Sequence, residues 1–457
     1  MSRAAGSSSG AALAVGAALG LGAAAAAALA VALLSGQKGN KAQPLTKEAW
    51  KEAHDEGGRI VDFAGILEQI RMGGCHPDVR EEVWPYLLRL VSPSSTAEQR
   101  STLKADLARR YSDLLQRCQD LETSLDSAVV RTGSSVAVAE NAGVGRSVPA
   151  HLAQFAEAQR IIVLDAIRTD LLQPDAASES SHRTNGAMNG LVPSADRRGG
   201  GPWLGRVAEE TLMNATHLSP ASRKAAARLI HLLSAYAVHD PETGYCQGMS
   251  DLAAPFLTIF EDDSMAFWCF ERLLQRTSKN FRHDETGMRE QLRGLARVLE
   301  QADPVVFHHL RQIGAGECFF AYRMVIVQLR RELPMAQAVT LWEILWADEY
   351  WQRLGSWTPP SLSWPSSGSW GSFDKNLSSL GGREDYQAAG SAPELLLFFI
   401  AAVALRQRRR LIDDCRDQDD TLRLFNSLRV DLWGSLRTAR GLQRSLAAQY
   451  QPSSSVY

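Results

Sequence analysis

Two short segments of the chain hold side chains suited to work on a phosphate. In the first, IIVLDAIRTD from Ile161 to Asp170, Asp165 and Arg168 stand three residues apart. On a helix that spacing makes them neighbours, and Ile161, Asp165, Arg168 and Leu172 share one face at i, i+4, i+7 and i+11. One reading is an ordinary ion pair, which contributes little. The other is an arginine held by an aspartate so that its guanidinium points outward at an anion. Guanidinium suits that task because it is always charged and forks onto phosphate oxygens.

The second segment is HDPETGYCQGMSD, from His239 to Asp251. Asp240-Pro241 and Gly244 mark a turn between two helices, and Gly248 lets the backbone come close to a neighbour. Tyr245 and Gln247 are presented from this junction. The plain reading is a helix connection whose polar groups satisfy its own backbone. The sharper one is that Gln247 offers an amide, donor and acceptor together, to a water molecule. Cys246 and His239 also admit a thiol nucleophile, but a Cys–His pair needs a third, orienting group, and the sequence singles none out.

The elements that must position these groups are read from the rest of the chain. Its 457 residues are 45% hydrophobic, enough to bury one large domain or two lobes with tails. Net charge is −2 and no basic run is interleaved with aromatics, which argues against nucleic acid as a partner. Cys75, Cys118, Cys246, Cys269, Cys318 and Cys415 show no metal-ligand spacing and are read as reduced thiols. Neither a GxxxxGK[ST] loop nor a GxGxxG after a strand is present, so the chain is not expected to bind a nucleotide by itself.

Residues 11–34 are 24 uncharged residues, 13 of them Ala and 6 Leu. They are long enough to span a bilayer but poor in leucine. Three readings stay open: membrane anchor, cleaved targeting segment or low-complexity tail. As an anchor, Lys38, Lys41 and Lys47 after it and only Arg3 before it leave the long C-terminal part in the cytosol, on the face of an endomembrane. From Lys47 onward the pattern is helical. Leu229, Leu232, Leu233 and Tyr236 form one apolar face, stopped by Asp240-Pro241. Further helices are expected at Met265–Leu274, Val298–Leu310, Phe319–Leu329 and Leu395–Ala404. Residues 133–150 read as a loop, and residues 174–202 and 355–392 as disordered insertions, the latter containing Trp357, Trp364 and Trp370. With no sustained alternation and no internal repeat, the fold class is all-α.

The motifs occur in an order that resembles a known family. Ile162-x-x-Asp165-x-x-Arg168 looks like the IxxDxxR motif of Rab-GAP TBC domains, and Tyr245-x-Gln247 looks like their YxQ motif. Upstream, Arg80, Trp84 and Leu87 resemble the family's opening R-x-x-x-W-x-x-L helix, in which Trp84 reads as core. Downstream, Cys318–Met324, Arg330-Arg331-Glu332-Leu333, Leu341-Trp342-Glu343 and Trp346-Ala347-Asp348 look like the plant and yeast vacuolar-type members. The likeness runs over residues 45–440, between an N-terminal segment of 1–44 and a tail of 441–457, and departs from the compact family pattern at the two insertions.

The resemblance implies a two-lobed, V-shaped helical domain with the catalytic pair in its first lobe. It implies a GTPase-activating protein for a GTP-bound Rab-type partner, acting in vesicle trafficking. Phosphoryl transfer to water passes through a loose transition state, so the helper adds positive charge and orients a water without a covalent step. Arg168 would be the charge stabiliser, Gln247 the water-positioning group in place of the GTPase's own Gln, Asp165 the holder of Arg168 and Tyr245 the neighbour of Gln247. GTP and Mg²⁺ would be carried by the partner, with no cofactor on this chain. The alternative is a catalytically inactive TBC-fold scaffold that binds a Rab without accelerating hydrolysis.

Overall fold

The structure is a computed structural model that describes residues 43–132, 148–169, 204–282, 284–354 and 394–446. The segment 11–34 and the insertions at 174–202 and 355–392 lie outside the described residues. The described chain is helical. In order the helices are α1 (Lys47–Glu52), α2 (Phe63–Gly73), α3 (Arg80–Leu87), α4 (Ala97–Thr132), α5 (Ala150–Arg168), α6 (Arg206–Asn214), α7 (Pro220–His239), α8 (Met249–Ile259) and α9 (Asp263–Thr277). They continue as α10 (Thr286–Ala302), α11 (Pro304–Gln312), α12 (Tyr322–Ile326), α13 (Met335–Leu354), α14 (Leu395–Arg406), α15 (Arg408–Asp414), α16 (Gln418–Asn426) and α17 (Leu432–Leu446). Among the described residues there is no strand, only two isolated bridges, Leu45 with Cys75 and His54 with Ile60. The fold is all-α. No described helix is long and apolar enough to cross a membrane.

The chain divides into two compact units. One takes Gln43–Met288 and Ile326–Gln387, and both candidate segments lie in it. Its helices start where local chemistry lets them. Asp62 caps α2 by accepting the Gly65 amide at 2.8 Å, and Ser219 caps α7 by accepting the Ser222 amide at 3.0 Å, with Pro220 at the first helical position. In α7, Leu229, Leu232, Leu233 and Tyr236 are buried, and the helix ends at His239 before Asp240-Pro241, as the pattern predicts. The helix α5 packs on α7, and α4 packs on α7 and α9.

Trp84 is fully buried, edge-on to Phe256 at 5.1 Å and to Trp346 at 4.9 Å between ring centroids. Such aromatic pairs contribute about 0.5–1.5 kcal/mol beyond area burial. Its indole N–H donates to Oε1 of the buried Glu343 at 2.9 Å, and Arg80 Nε donates to the same oxygen at 2.8 Å. The Cys75 amide donates to Oε2 at 2.9 Å. Burial pushes the Glu343 carboxyl up, against the pull of Arg80. The R-x-x-x-W spacing thus puts two donors one helical turn apart, so that α3 and α13 meet on one carboxylate.

The other unit takes Arg289–Val325 and the chain from Ala388 on. Here α14 is buried almost all round and packs on α17, while α11 packs on α15. Two expected helices differ from the pattern. Val298–Leu310 is broken into α10 and α11 at Asp303-Pro304, where Asp303 caps the new helix by accepting the Val306 amide at 3.1 Å. An Asp before a Pro at the first helical position is a start signal that outweighs continuous apolar spacing. Phe319–Leu329 is a 3₁₀ turn followed by the short α12, because Gln328 and Leu329 take positive φ (47° and 59°), which a right-handed helix cannot accommodate.

Candidate functional site

Arg168 is the last residue of α5 and Asp165 lies one turn before it. The helix buries Leu152, Phe155, Gln159, Ile162, Val163 and Ala166, a stripe at helical spacing. Ile162 of the motif is fully buried, Asp165 is half-buried and Arg168 is exposed. Leu164, one turn before Arg168 on the same side of the helix, is also exposed, at 40%. The chain leaves the helix at Thr169, whose amide and hydroxyl both bond the Asp165 carbonyl, at 3.0 and 2.8 Å.

The second segment is shaped by its turn chemistry. Asp240 accepts from the Thr243 hydroxyl at 2.7 Å and from the Thr243 amide at 3.3 Å, closing the turn after α7. Gly248 has φ 102° and stands at the N-cap of α8, a conformation open to glycine and costly to residues with a Cβ. A Cβ there would also approach Val327 Cγ1 to 3.3 Å. Between these two fixtures Tyr245 turns inward against the core and Gln247 turns outward, exposed.

The two segments meet at a hydrogen bond. The Tyr245 hydroxyl donates to Asp165 Oδ2 at 2.8 Å, across 80 residues of sequence. Burial raises the Tyr245 pKa, and the Asp165 carboxylate raises it further, so the hydroxyl stays a donor. The i, i+3 spacing suggested that Asp165 would grip Arg168. Among the described residues Arg168 makes no ion pair, and Asp165 grips Tyr245 instead. The arginine stands exposed at the end of its helix, while the aspartate ties the turn bearing Gln247 to that helix. The structure therefore brings Asp165 and Tyr245 together and leaves Arg168 and Gln247 as the exposed ends of the two joined segments.

Asp251, in the first turn of α8, pairs with Arg331: Nη2 lies 2.7 Å and Nε 3.0 Å from its Oδ2. The sequence placed both residues in motifs but gave neither a role, since 80 residues separate them. Cys246 offers no nucleophile. Its thiol lies 3.7 Å from the Thr243 carbonyl and 3.6 Å from that of Phe281, and burial pushes its pKa up, opposite to what an attacking thiolate needs. His239 faces Glu271 at 3.6 Å rather than the thiol. Among the described residues no group of His, Cys, Asp and Glu could hold a metal ion.

The family model of the Rab-GTPase-TBC domain matches residues 211–355, which include Tyr245 and Gln247 and stop short of Asp165 and Arg168. Rab GTPase-activating protein 22 of Arabidopsis thaliana is 30% identical over 477 residues, covering 87% of this chain and 80% of the relative. The chain belongs to the Rab-GTPase-TBC family. The chain covers a smaller share of two longer relatives. The GTPase-activating protein GYP7 of Debaryomyces hansenii is 25% identical over 326 residues, 68% of this chain but 38% of the relative. TBC1 domain family member 16 of Homo sapiens is 27% identical over 305 residues, 66% of this chain and 31% of the relative. The crystal structure of the Ypt/Rab-GAP domain of Gyp1p superposes with a TM-score of 0.51 at 16% identity, over 87% of this chain and 95% of that one. It shares the all-helical TBC fold.

Proposed function

We propose that this TBC chain is a GTPase-activating protein for a GTP-bound Rab-type GTPase and supplies Arg168 and Gln247 to the partner's active site. Arg168 adds charge to the γ-phosphoryl oxygens, where a guanidinium in trans is worth about 10³–10⁵-fold in rate. Gln247 positions the attacking water in place of the GTPase's own glutamine. The observation that carries the reading is the bond from Tyr245 to Asp165 at 2.8 Å, which joins the two motif segments and leaves the arginine and the glutamine at the surface. The exposed Leu164, one turn before Arg168, supplies an apolar contact for the docked GTPase. GTP and Mg²⁺ come with the partner, and this chain brings no cofactor. The reaction takes place in the cytosol, where a Rab directs vesicle traffic.

The test is single-turnover GTP hydrolysis by a panel of GTP-loaded Rabs, with and without the full chain. Acceleration of at least one Rab, lost in Arg168→Ala, supports the reading. A Rab that binds the chain and is not accelerated would instead favour the inactive scaffold.

A further inference from the structure

The turn that carries Gln247 is gripped from outside its own helices, by residues 327–331. Val327, Gln328 and Leu329 are buried, and Gln328 and Leu329 are consecutive left-handed residues with side chains (φ 47° and 59°). Such backbone persists only where its surroundings fix it. Here the buried Trp342 donates its indole N–H to the Gln328 carbonyl at 2.8 Å. The Arg330 amide bonds the Val327 carbonyl at 2.9 Å, and the Leu333 amide bonds the Leu329 carbonyl at 3.1 Å.

This fixed segment makes two contacts with the turn. Val327 packs against Gly248, where even a Cβ would be tight. Arg331 emerges to the surface and sets two guanidinium nitrogens on one oxygen of Asp251, at 2.7 and 3.0 Å. The Asp251 amide in turn donates to the Gly248 carbonyl at 3.1 Å, next to Gln247. A pair with Arg331 47% exposed adds little to global stability. Its place in a chain of contacts ending beside Gln247 gives it a different use. The charges agree. Asp251 and Asp165 both act on the Tyr245 hydroxyl. Arg331 is a permanent cation whose pKa is raised further, chiefly by its hydrogen bond to Asp251, with Glu332 and Asp165 adding to it. Without that cation, a phosphate arriving at Gln247 would meet two carboxylates less well offset.

We infer that Arg331 is a positioning residue for Gln247: through Asp251 it fixes the Gly248 end of the turn, and its charge offsets Asp251 and Asp165. The inference rests on the reading of Gln247 as the water-positioning group.

The experiment uses the full chain with Arg331→Ala, Arg331→Lys and Gln247→Ala, singly and with Arg331→Ala combined with Gln247→Ala. Two readouts are taken: amide hydrogen exchange over 244–252 without any partner, and single-turnover hydrolysis by one responsive Rab. Arg331→Ala is expected to speed exchange over 244–252 while leaving α7 unchanged, and to lower the maximal rate about tenfold, since small misplacements of a catalytic group have effects of this order. Half-saturation should move less than about twofold and the melting temperature less than about 2 °C, as for an exposed pair. Arg331→Lys should recover most of the rate, and Arg331→Ala added to Gln247→Ala should cost less than about twofold more. Unchanged exchange over 244–252, or losses that multiply in the double variant, would overturn the inference. If Gln247→Ala itself runs at the wild-type rate, the water-positioning reading of Gln247 falls. The exchange readout then still decides whether Arg331 holds the turn.

Discussion

Removing the Tyr245 hydroxyl is the sharpest test of how the candidate site is built. Tyr245→Phe keeps the ring that packs against the core and deletes the hydroxyl that donates to Asp165 Oδ2 at 2.8 Å. A hydrogen bond to a charged group is worth about 1.5–3 kcal/mol, but Asp165 is half-buried and water can replace part of it, so about 1–2 kcal/mol is expected. If that bond holds the Gln247 turn in register with Arg168, its loss falls on the transition state and the maximal rate drops about 5- to 30-fold. If it only stabilises the fold, the loss appears as a melting shift, about 2–4 °C per kcal/mol, with the rate per folded molecule unchanged. The assay is single-turnover GTP hydrolysis by a responsive Rab at saturating chain, beside a thermal melt. Asp165→Asn is the control: it still accepts the hydroxyl without the charge and should lose less. In the double variant Tyr245→Phe with Asp165→Ala, the losses should not add, because they remove one bond. A wild-type rate for Tyr245→Phe, or strict additivity in the double variant, would refute the reasoning.

Arg168→Ala should lower the activation of a responsive Rab by at least about 10²-fold with the helical fold intact by circular dichroism, and Arg168→Lys should also fail because a point charge does not fork. A Rab whose own catalytic glutamine is changed to leucine should still be accelerated by this chain, and by Gln247→Ala much less, as read by single-turnover hydrolysis. Leu164→Asp, at an exposed position one turn from Arg168, should raise the half-saturating concentration more than it lowers the maximal rate. Glu343→Ala strands Arg80 and the Trp84 indole in a buried site, so a loss of about 3–5 kcal/mol should appear as a lower melting temperature, with no selective loss of rate below it.

Much of this protein follows from short-range chemistry that a sequence displays directly. The apolar face of α7 and its stop at Asp240-Pro241 need only helical periodicity and a proline. Gly248 at positive φ before α8 is the backbone freedom that glycine supplies. The split between α10 and α11 was equally local. The Asp303-Pro304 start signal is written in the chain, and reading apolar spacing alone passes over it.

The order of the motifs located Arg168, Asp165, Tyr245 and Gln247, and the residue types limited what they could do. Their pairing was another matter. Sequence spacing offered Asp165 its nearest cation, Arg168, three residues on. Packing of α5 on α7 buries the stripe through Ile162 and Ala166, which leaves Asp165 half-buried beside the turn after α7 and Arg168 out in solvent. Asp165 therefore met Tyr245, as Glu343 met Arg80 and Trp84 across more than 250 residues, and Asp251 met Arg331. Nothing local encodes these partners, because a polar side chain bonds whatever group the packing of the apolar faces brings within about 3 Å of it. The sequence thus named the groups proposed to act on a phosphate. The tertiary structure decided which carboxylate holds which donor, because that depends on how the buried faces of distant helices fit.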